Sequence, residues 1–219
     1  MLIPSTGSGR VPSTGSYVRL GGLPSPAAFS LLELLITLAL LIILVTIWHG
    51  FGSRNNQQRQ LKACQKNLQE IYLAMEIYAN EHDGRFPALS GARTPEEPLS
   101  ILIPQYTTAS SSFICPGSKD SPIPSAEPLT RRHISYAYFM GRLQTNPPSD
   151  VLMSDRLLDA SPKPKGAQAF SATGRPPGNN HHKYGGNFLF VDGRQESASG
   201  PIPFALTWPA DVTLLNPER

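Results

Sequence analysis

The sequence predicts an α+β protein in which a long N-terminal α-helix, half transmembrane and half amphipathic, packs on a small antiparallel β-sheet. Three observations carry that reading. Residues 29–48, FSLLELLITLALLIILVTIW, form an unbroken apolar run apart from one acid. Beyond it Leu61, Cys64, Leu68, Ile71, Met75 and Tyr78 recur every three or four residues, with Arg59, Lys62, Lys66, Gln69 and Glu70 between them. That is the period of a helix with one buried face. The 22 prolines and 18 glycines fall mostly after residue 84, where they punctuate short strands and loops.

The apolar run comes first in the chain. It is longer than the roughly 7–15 residues of a secretory signal core, and the segment after it, HGFGSRNNQQRQ, has no small-x-small cleavage pattern. It is therefore expected to persist as a membrane helix, about 30 Å long at the α-helical rise and matched to a bilayer core. Gly50 and Gly52 follow, each costing about 1 kcal/mol relative to Ala inside a helix, so a local softening is expected there. The amphipathic segment closes at Gly84, a left-handed cap, and Pro87 forbids its continuation.

The remaining elements are shorter. Residues 99–103 read as a short helix or strand and 112–115 as a strand stopped by Pro116 and Gly117. Residues 134–140, ISYAYFM, have the aromatic and β-branched content of a strand, and 151–153 another, closed by Ser154 and Asp155. Residues 187–191, NFLFV, precede Asp192 and Gly193, the pair that a type I′ turn favours, and 194–197 return antiparallel. The organisation that results is a leader over 1–28, a transmembrane helix over 29–49, its amphipathic extension over 50–84, a loop-rich α+β domain over 85–197 and a tail over 198–219. No element is assigned to the tail, whose apolar residues are Phe204, Leu206 and Trp208.

Length and charge narrow the function classes. With 219 residues, 40% of them apolar, the chain accommodates one membrane segment and one modest domain. The formal charge is +3, but Arg10 and Arg19 lie in the leader, and removing them from the 19 basic residues leaves 17 against 16 acids. So balanced a charge argues against a nucleic-acid footprint. No Gly-x-Ser-x-Gly elbow, His-Glu-x-x-His helix or phosphate loop occurs, so no enzyme class is indicated.

The acid in the apolar run is Glu33. A charged side chain within a bilayer costs roughly 2.5–3.5 kcal/mol and marks a functional site that needs a partner. AFSLLELL resembles the prepilin leader motif of type IV pilins and type II secretion pseudopilins, with a small residue, Ala28, before Phe29 and Glu33 five residues into the mature chain. Ala28 stands where the family usually has Gly, and no Lys or Arg lies immediately upstream. The resemblance implies a pilin-like fold, cleavage after Ala28 by a prepilin peptidase, methylation of Phe29, and a pairing of Glu33 with the Phe29 amine of a neighbouring subunit. It further implies a single-pass inner-membrane protein with its bulk in the periplasm. The partners would be other pseudopilin subunits and an inner-membrane assembly platform. A membrane-anchored extracytoplasmic binding module, its helix a mere tether, is the alternative.

A second stretch strengthens the resemblance. In HHKYGGNFLFVDGR, His182, nine residues, then Asp192 and Gly193 resemble the H-X9-DG signature of a group of pseudopilins; CQKNLQEIYL, HDGRFP and VLMSDR are also similar to that group. Major pseudopilins bind calcium in a C-terminal loop, which makes Asp155, Asn187 and Asp192 candidate ligands, although no dense acidic cluster is present. Asp-Gly is the strongest short hairpin signal, so the turn is the favoured explanation of Asp192 and Gly193 and needs no ligand. The only two cysteines, Cys64 and Cys115, are either a disulfide or two buried thiols. An extracytoplasmic location favours the disulfide, and with no His pattern nearby the pair does not suggest a metal site.

Overall fold

The structure is a computed structural model that describes residues 30–175 and 180–218, with the backbone alone described at 49–54. The chain divides into two units, Met1–Thr46 and Ile47–Arg219. The expected leader, 1–28, and Phe29 lie outside the described residues.

The described part of the first unit is helical. It is the start of α1, Leu31–Glu81, and the apolar stretch Leu31–Trp48 has a mean hydropathy of 2.7 with none of it buried. This helix is long and apolar enough to cross a membrane. Its threonine hydroxyls bond within the helix: Thr37 donates to the Leu34 carbonyl at 2.9 Å and Thr46 to the Ile43 carbonyl at 2.8 Å. The helix α1 is continuous through Gly50 and Gly52. A cost of about 1 kcal/mol for each glycine is spread over a long hydrogen-bonded ladder and does not break it.

The second unit is an α+β domain. Five antiparallel strands, β1 (Tyr136–Met140), β2 (Val151–Asp155), β3 (Gly186–Phe190), β4 (Gln195–Ala198) and β5 (Thr213–Leu215), are ordered β4-β3-β2-β1-β5. One face of the sheet receives the amphipathic part of α1. Cys64, Leu68, Ile71, Met75 and Tyr78 join Tyr136, Tyr138, Leu152, Leu189, Val191 and Leu215 in a single buried cluster. Alternation along the strands sends Ala137, Phe139, Phe188 and Phe190 to the opposite face. Leu152 and Met153 are adjacent yet share the helix-side cluster, because the register against β3 shifts between Val151 and Met153.

Several expectations are corrected here, and the open choice of helix or strand at 99–103 is resolved. Residues 112–115 are not a strand: Ser110–Phe113 form a 3-10 turn, in which the Ser110 hydroxyl donates to the Pro124 carbonyl at 2.8 Å. Residues 99–103 are helical at first, as α2 (Glu96–Leu99) followed by a 3-10 turn over Ser100–Leu102. Strand β2 does not stop at Ser154 but runs through Asp155, both fully buried. The β3–β4 connection is a three-residue loop rather than a type I′ turn. Phe190 donates to Arg194 O, Gly193 donates to Phe190 O, and Gly193 alone in the loop has a left-handed φ, of 80°. A side chain there would also strike the Tyr72 ring, whose hydroxyl donates to the Val191 carbonyl at 2.9 Å and ties α1 to the hairpin.

The tail is part of the fold. Thr213–Leu215 pair with β1 as an edge strand, while Ile202, Leu206 and Val212 are buried on the face away from α1, with Phe204 and Trp208 packed beside them. Trp208 meets Phe139 edge to face at 5.2 Å, and Phe204 does the same with Phe188 at 5.1 Å.

Candidate functional site

The candidate site is assembled at one end of the sheet from four separate elements. Cys64 comes from the buried face of α1, Cys115 from the chain just after the 3-10 turn at Ser110–Phe113, Asp155 from the last position of β2, and His181 from the loop before β3. All four are at most 1% exposed. The sulfurs of Cys64 and Cys115 form a disulfide with Cα atoms 5.3 Å apart. Among the described residues there is no free cysteine.

His181 is the residue that sequence reasoning missed. Its Nε2 lies 3.3 Å from Cys115 Sγ and 3.4 Å from Asp155 Oδ2. The expectation that no histidine accompanies the cysteines is therefore overturned: one sulfur from each cysteine, one Asp155 oxygen and one His181 nitrogen all lie within 4.8 Å of one another. His182, which the spacing singled out, is exposed on the 3-10 turn His182–Tyr184 with φ of 52°. The adjacent pair of histidines offers no sequence signal to tell the buried ring from the exposed one.

A carboxylate this deep needs compensation, and Asp155 has it. Oδ1 accepts from Asn180 Nδ2 at 2.8 Å, and Oδ2 accepts from the Asn187 backbone N–H at 2.7 Å and from Asn187 Nδ2 at 3.0 Å. Asn187 also ties the site to the helix and to β4: Nδ2 donates to Leu61 O at 3.1 Å and Oδ1 accepts from Ser197 Oγ at 2.6 Å. Tyr136, fully buried nearby, has its hydroxyl pushed well above its ordinary pKa by burial and then by the Asp155 charge. The ring of His181 sits against Gly117, where a Cβ would lie 2.3 Å from Asn180 O and 2.8 Å from His181 Nδ1. Gly117 is thus the residue that lets the loop carrying Cys115 approach the histidine.

A neighbouring pair completes the polar interior. Arg156, 1% exposed, donates through Nη2 to Asp120 Oδ2 at 3.2 Å, and Asp120 also accepts from the Ser135 hydroxyl at 2.7 Å. Ser135 O in turn accepts from Asn180 Nδ2 at 2.7 Å, which links this pair to Asp155.

The proposed calcium ligands do not come together as a set. Asp155 and Asn187 are neighbours, but Asn187 turns its amide nitrogen toward the carboxylate, and its oxygen is occupied by Ser197. Asp192 lies beyond the other end of β3, exposed, where its Oδ1 accepts from the Arg194 backbone N–H at 2.9 Å. These three residues do not fit an oxygen cage for calcium. Asp192 serves the turn.

Nor do Cys115, His181 and Asp155 form a nucleophile triad. In a triad the carboxylate orients one ring nitrogen while the other faces the nucleophile. Here the sulfur and the carboxylate approach the same nitrogen, Nε2, and no described protein group bonds Nδ1. The arrangement is a buried covalent staple with a histidine–carboxylate pair against it.

Of the remaining candidates, Ala28 and Phe29 fall outside the described residues. Glu33 stands in the first turn of α1 on an exposed surface, and none of the described residues forms an ion pair with it. No protein-family model, curated protein or solved structure matches this chain.

Proposed function

We propose that this chain is a pseudopilin-like structural subunit of a type II secretion or related type IV filament system, pilin-like in fold and anchored in the inner membrane with its folded domain in the periplasm. The single observation that carries the reading is Glu33: one acid in an apolar helix that is otherwise suited to a bilayer, exposed along its whole length and without an ionic partner among the described residues. A charge so placed calls for a partner beyond the described residues. An ion pair at 4 Å is worth about 4 kcal/mol at an effective dielectric of 20, enough to offset the insertion cost. The motif ahead of Glu33 supplies that partner as the Phe29 amine of a neighbouring subunit, released by cleavage after Ala28 and methylated. The α+β domain behind the helix, stapled by its disulfide, supports the same reading, as a rigid body carried on an assembling helix. The protein performs no chemistry in this role. It is the substrate of a prepilin peptidase and a mechanical part of the filament.

The test is co-expression with and without a prepilin peptidase, followed by the mass of the N-terminal peptide. The expected product begins at methylated Phe29 and depends on the peptidase. A chain left uncut would make the helix a tether and the domain a membrane-anchored binding module. In the processed protein, Glu33→Ala is expected to insert normally and to be lost from filaments, read by membrane fractionation beside filament recovery. Normal incorporation of that variant would remove the basis of the proposal.

A further inference from the structure

We infer that Cys64, Cys115, Asp155 and His181 form a Zn²⁺ site in the reduced chain, so that this corner of the domain is closed either by a metal ion or by a disulfide according to the thiol redox state. The inference is independent of the filament role.

The geometry carries it. Tetrahedral zinc with Zn–S near 2.3 Å and Zn–N and Zn–O near 2.0–2.1 Å requires ligand–ligand edges of about 3.4 Å for N–O, about 3.6 Å for S–N and about 3.8 Å for S–S. The His181 Nε2 to Asp155 Oδ2 distance is 3.4 Å and the Cys115 Sγ to His181 Nε2 distance is 3.3 Å. All four donor atoms already lie within 4.8 Å of one another. The edge between the two sulfurs is the one that must open, and breaking the S–S bond frees it to do so. Two thiolates, one imidazole and one carboxylate suit zinc in both softness and number.

The surroundings are those of a metal centre. A ligating carboxylate is normally held by outer hydrogen bonds, and Asp155 has three, from Asn180 Nδ2, Asn187 N and Asn187 Nδ2. Those donors also face the single negative charge that two thiolates and one carboxylate leave on a divalent ion. In the oxidised chain neither sulfur is a ligand, and the imidazole nitrogen lies 3.4 Å from Asp155 Oδ2 and 3.3 Å from Cys115 Sγ. Reduction turns that neighbouring sulfur into a ligand without moving the nitrogen or the carboxylate.

The interconversion balances. A phosphine breaks the S–S bond, is oxidised to its phosphine oxide with an oxygen from water, and leaves two thiols that take up the two protons of that water. Zn²⁺ then forms two Zn–S bonds and releases two protons to solvent.

The test uses the full chain in detergent, reduced with a phosphine, with Zn²⁺ or Co²⁺ as probe. One equivalent of zinc retained after desalting is expected, with thiol alkylation slowed by about tenfold or more, since a bound thiolate is not free to attack. Cobalt should give the intense visible bands of a tetrahedral site together with thiolate charge transfer. His181→Ala and Asp155→Asn should each weaken zinc retention by about a hundredfold, and the oxidised wild type should bind none. A reduced wild-type chain that retains no zinc, folded or not, overturns the inference without recourse to a variant. So does retention undiminished in both variants, which would mark a site made by thiols alone.

Discussion

The two parts of α1 use the same backbone for opposite purposes. From Leu31 to Trp48 the helix is apolar on every side and none of it is buried. From Cys64 to Tyr78 it is apolar on one side only, and Cys64, Leu68, Ile71 and Met75 are each at most 1% exposed. The second part finds its partners within the chain, in the sheet. The first finds none among the described residues, and under the proposed function its apolar surface and Glu33 would meet lipid and a neighbouring subunit. Burial thus separates the part of the helix that packs the domain from the part that does not. Substitutions in the two parts should fall into two classes with little overlap.

The largest effect expected on folding comes from the staple within the second part. Cys64 and Cys115 are separated by 51 positions, and in the chain-entropy model closing a loop of that size is worth about 4 kcal/mol. The double variant Cys64→Ala with Cys115→Ala should lose about that much in urea unfolding under oxidising conditions, while membrane insertion is unchanged. A loss below about 1 kcal/mol would mean that helix packing alone holds α1 to the sheet.

Core truncation tests the division more directly. Leu68→Ala, at a fully buried site, should cost about 3 kcal/mol, whereas Leu40→Ala, at an exposed one, should leave the unfolding midpoint of the domain where it was. Comparable losses at both positions, in detergent, would show that the apolar part also supports the fold and would erase the distinction.

Much of that distinction is legible in the sequence, because a helix records burial in a period that survives over many turns. Cys64, Leu68, Ile71, Met75 and Tyr78 are buried as their spacing predicts. Short elements carry too few residues for such a signal. Strand β5 has three residues and owes its place to pairing with β1, so the segment around it reads as an unassigned tail. Asp155 misleads in another way. Asp favours turns when its side chain bonds its own backbone, but here three N–H donors from Asn180 and Asn187 satisfy it inside a strand. Those donors, like His181, arrive from far along the chain. Convergence of single residues from four elements leaves no local pattern, and for that reason the cysteines could be paired in the sequence while the histidine beside them could not.

Glu33 has a counterpart that sharpens the comparison at the small end of the scale. Asp159 completes its ion pair within the chain: it bonds Lys163 Nζ and accepts from the Ser161 backbone N–H at 2.9 Å. The Lys163 bond, then the two from Ser161, hold its carboxyl at about 2 against an ordinary 3.8. A carboxyl depressed in the folded state stabilises it above the unfolded pKa, and the contribution is lost as pH falls from about 4 to about 2. The side chain is 61% exposed, so water screens most of the pair and the stabilisation is about 0.5 kcal/mol. Asp159→Asn should therefore lower stability slightly at neutral pH and flatten its fall between about pH 4 and pH 2, measured by urea unfolding across that range. Lys163 keeps its bond to Ser161 O at 3.2 Å in that variant, which limits the loss. An in-chain pair makes its acid a property of one folded molecule, titrating alike in isolated and assembled protein. Glu33, which the proposed function pairs across subunits, should influence assembly and leave this curve untouched. A Glu33→Ala variant of the full, unassembled chain that shifted the acid unfolding of the domain would break the contrast.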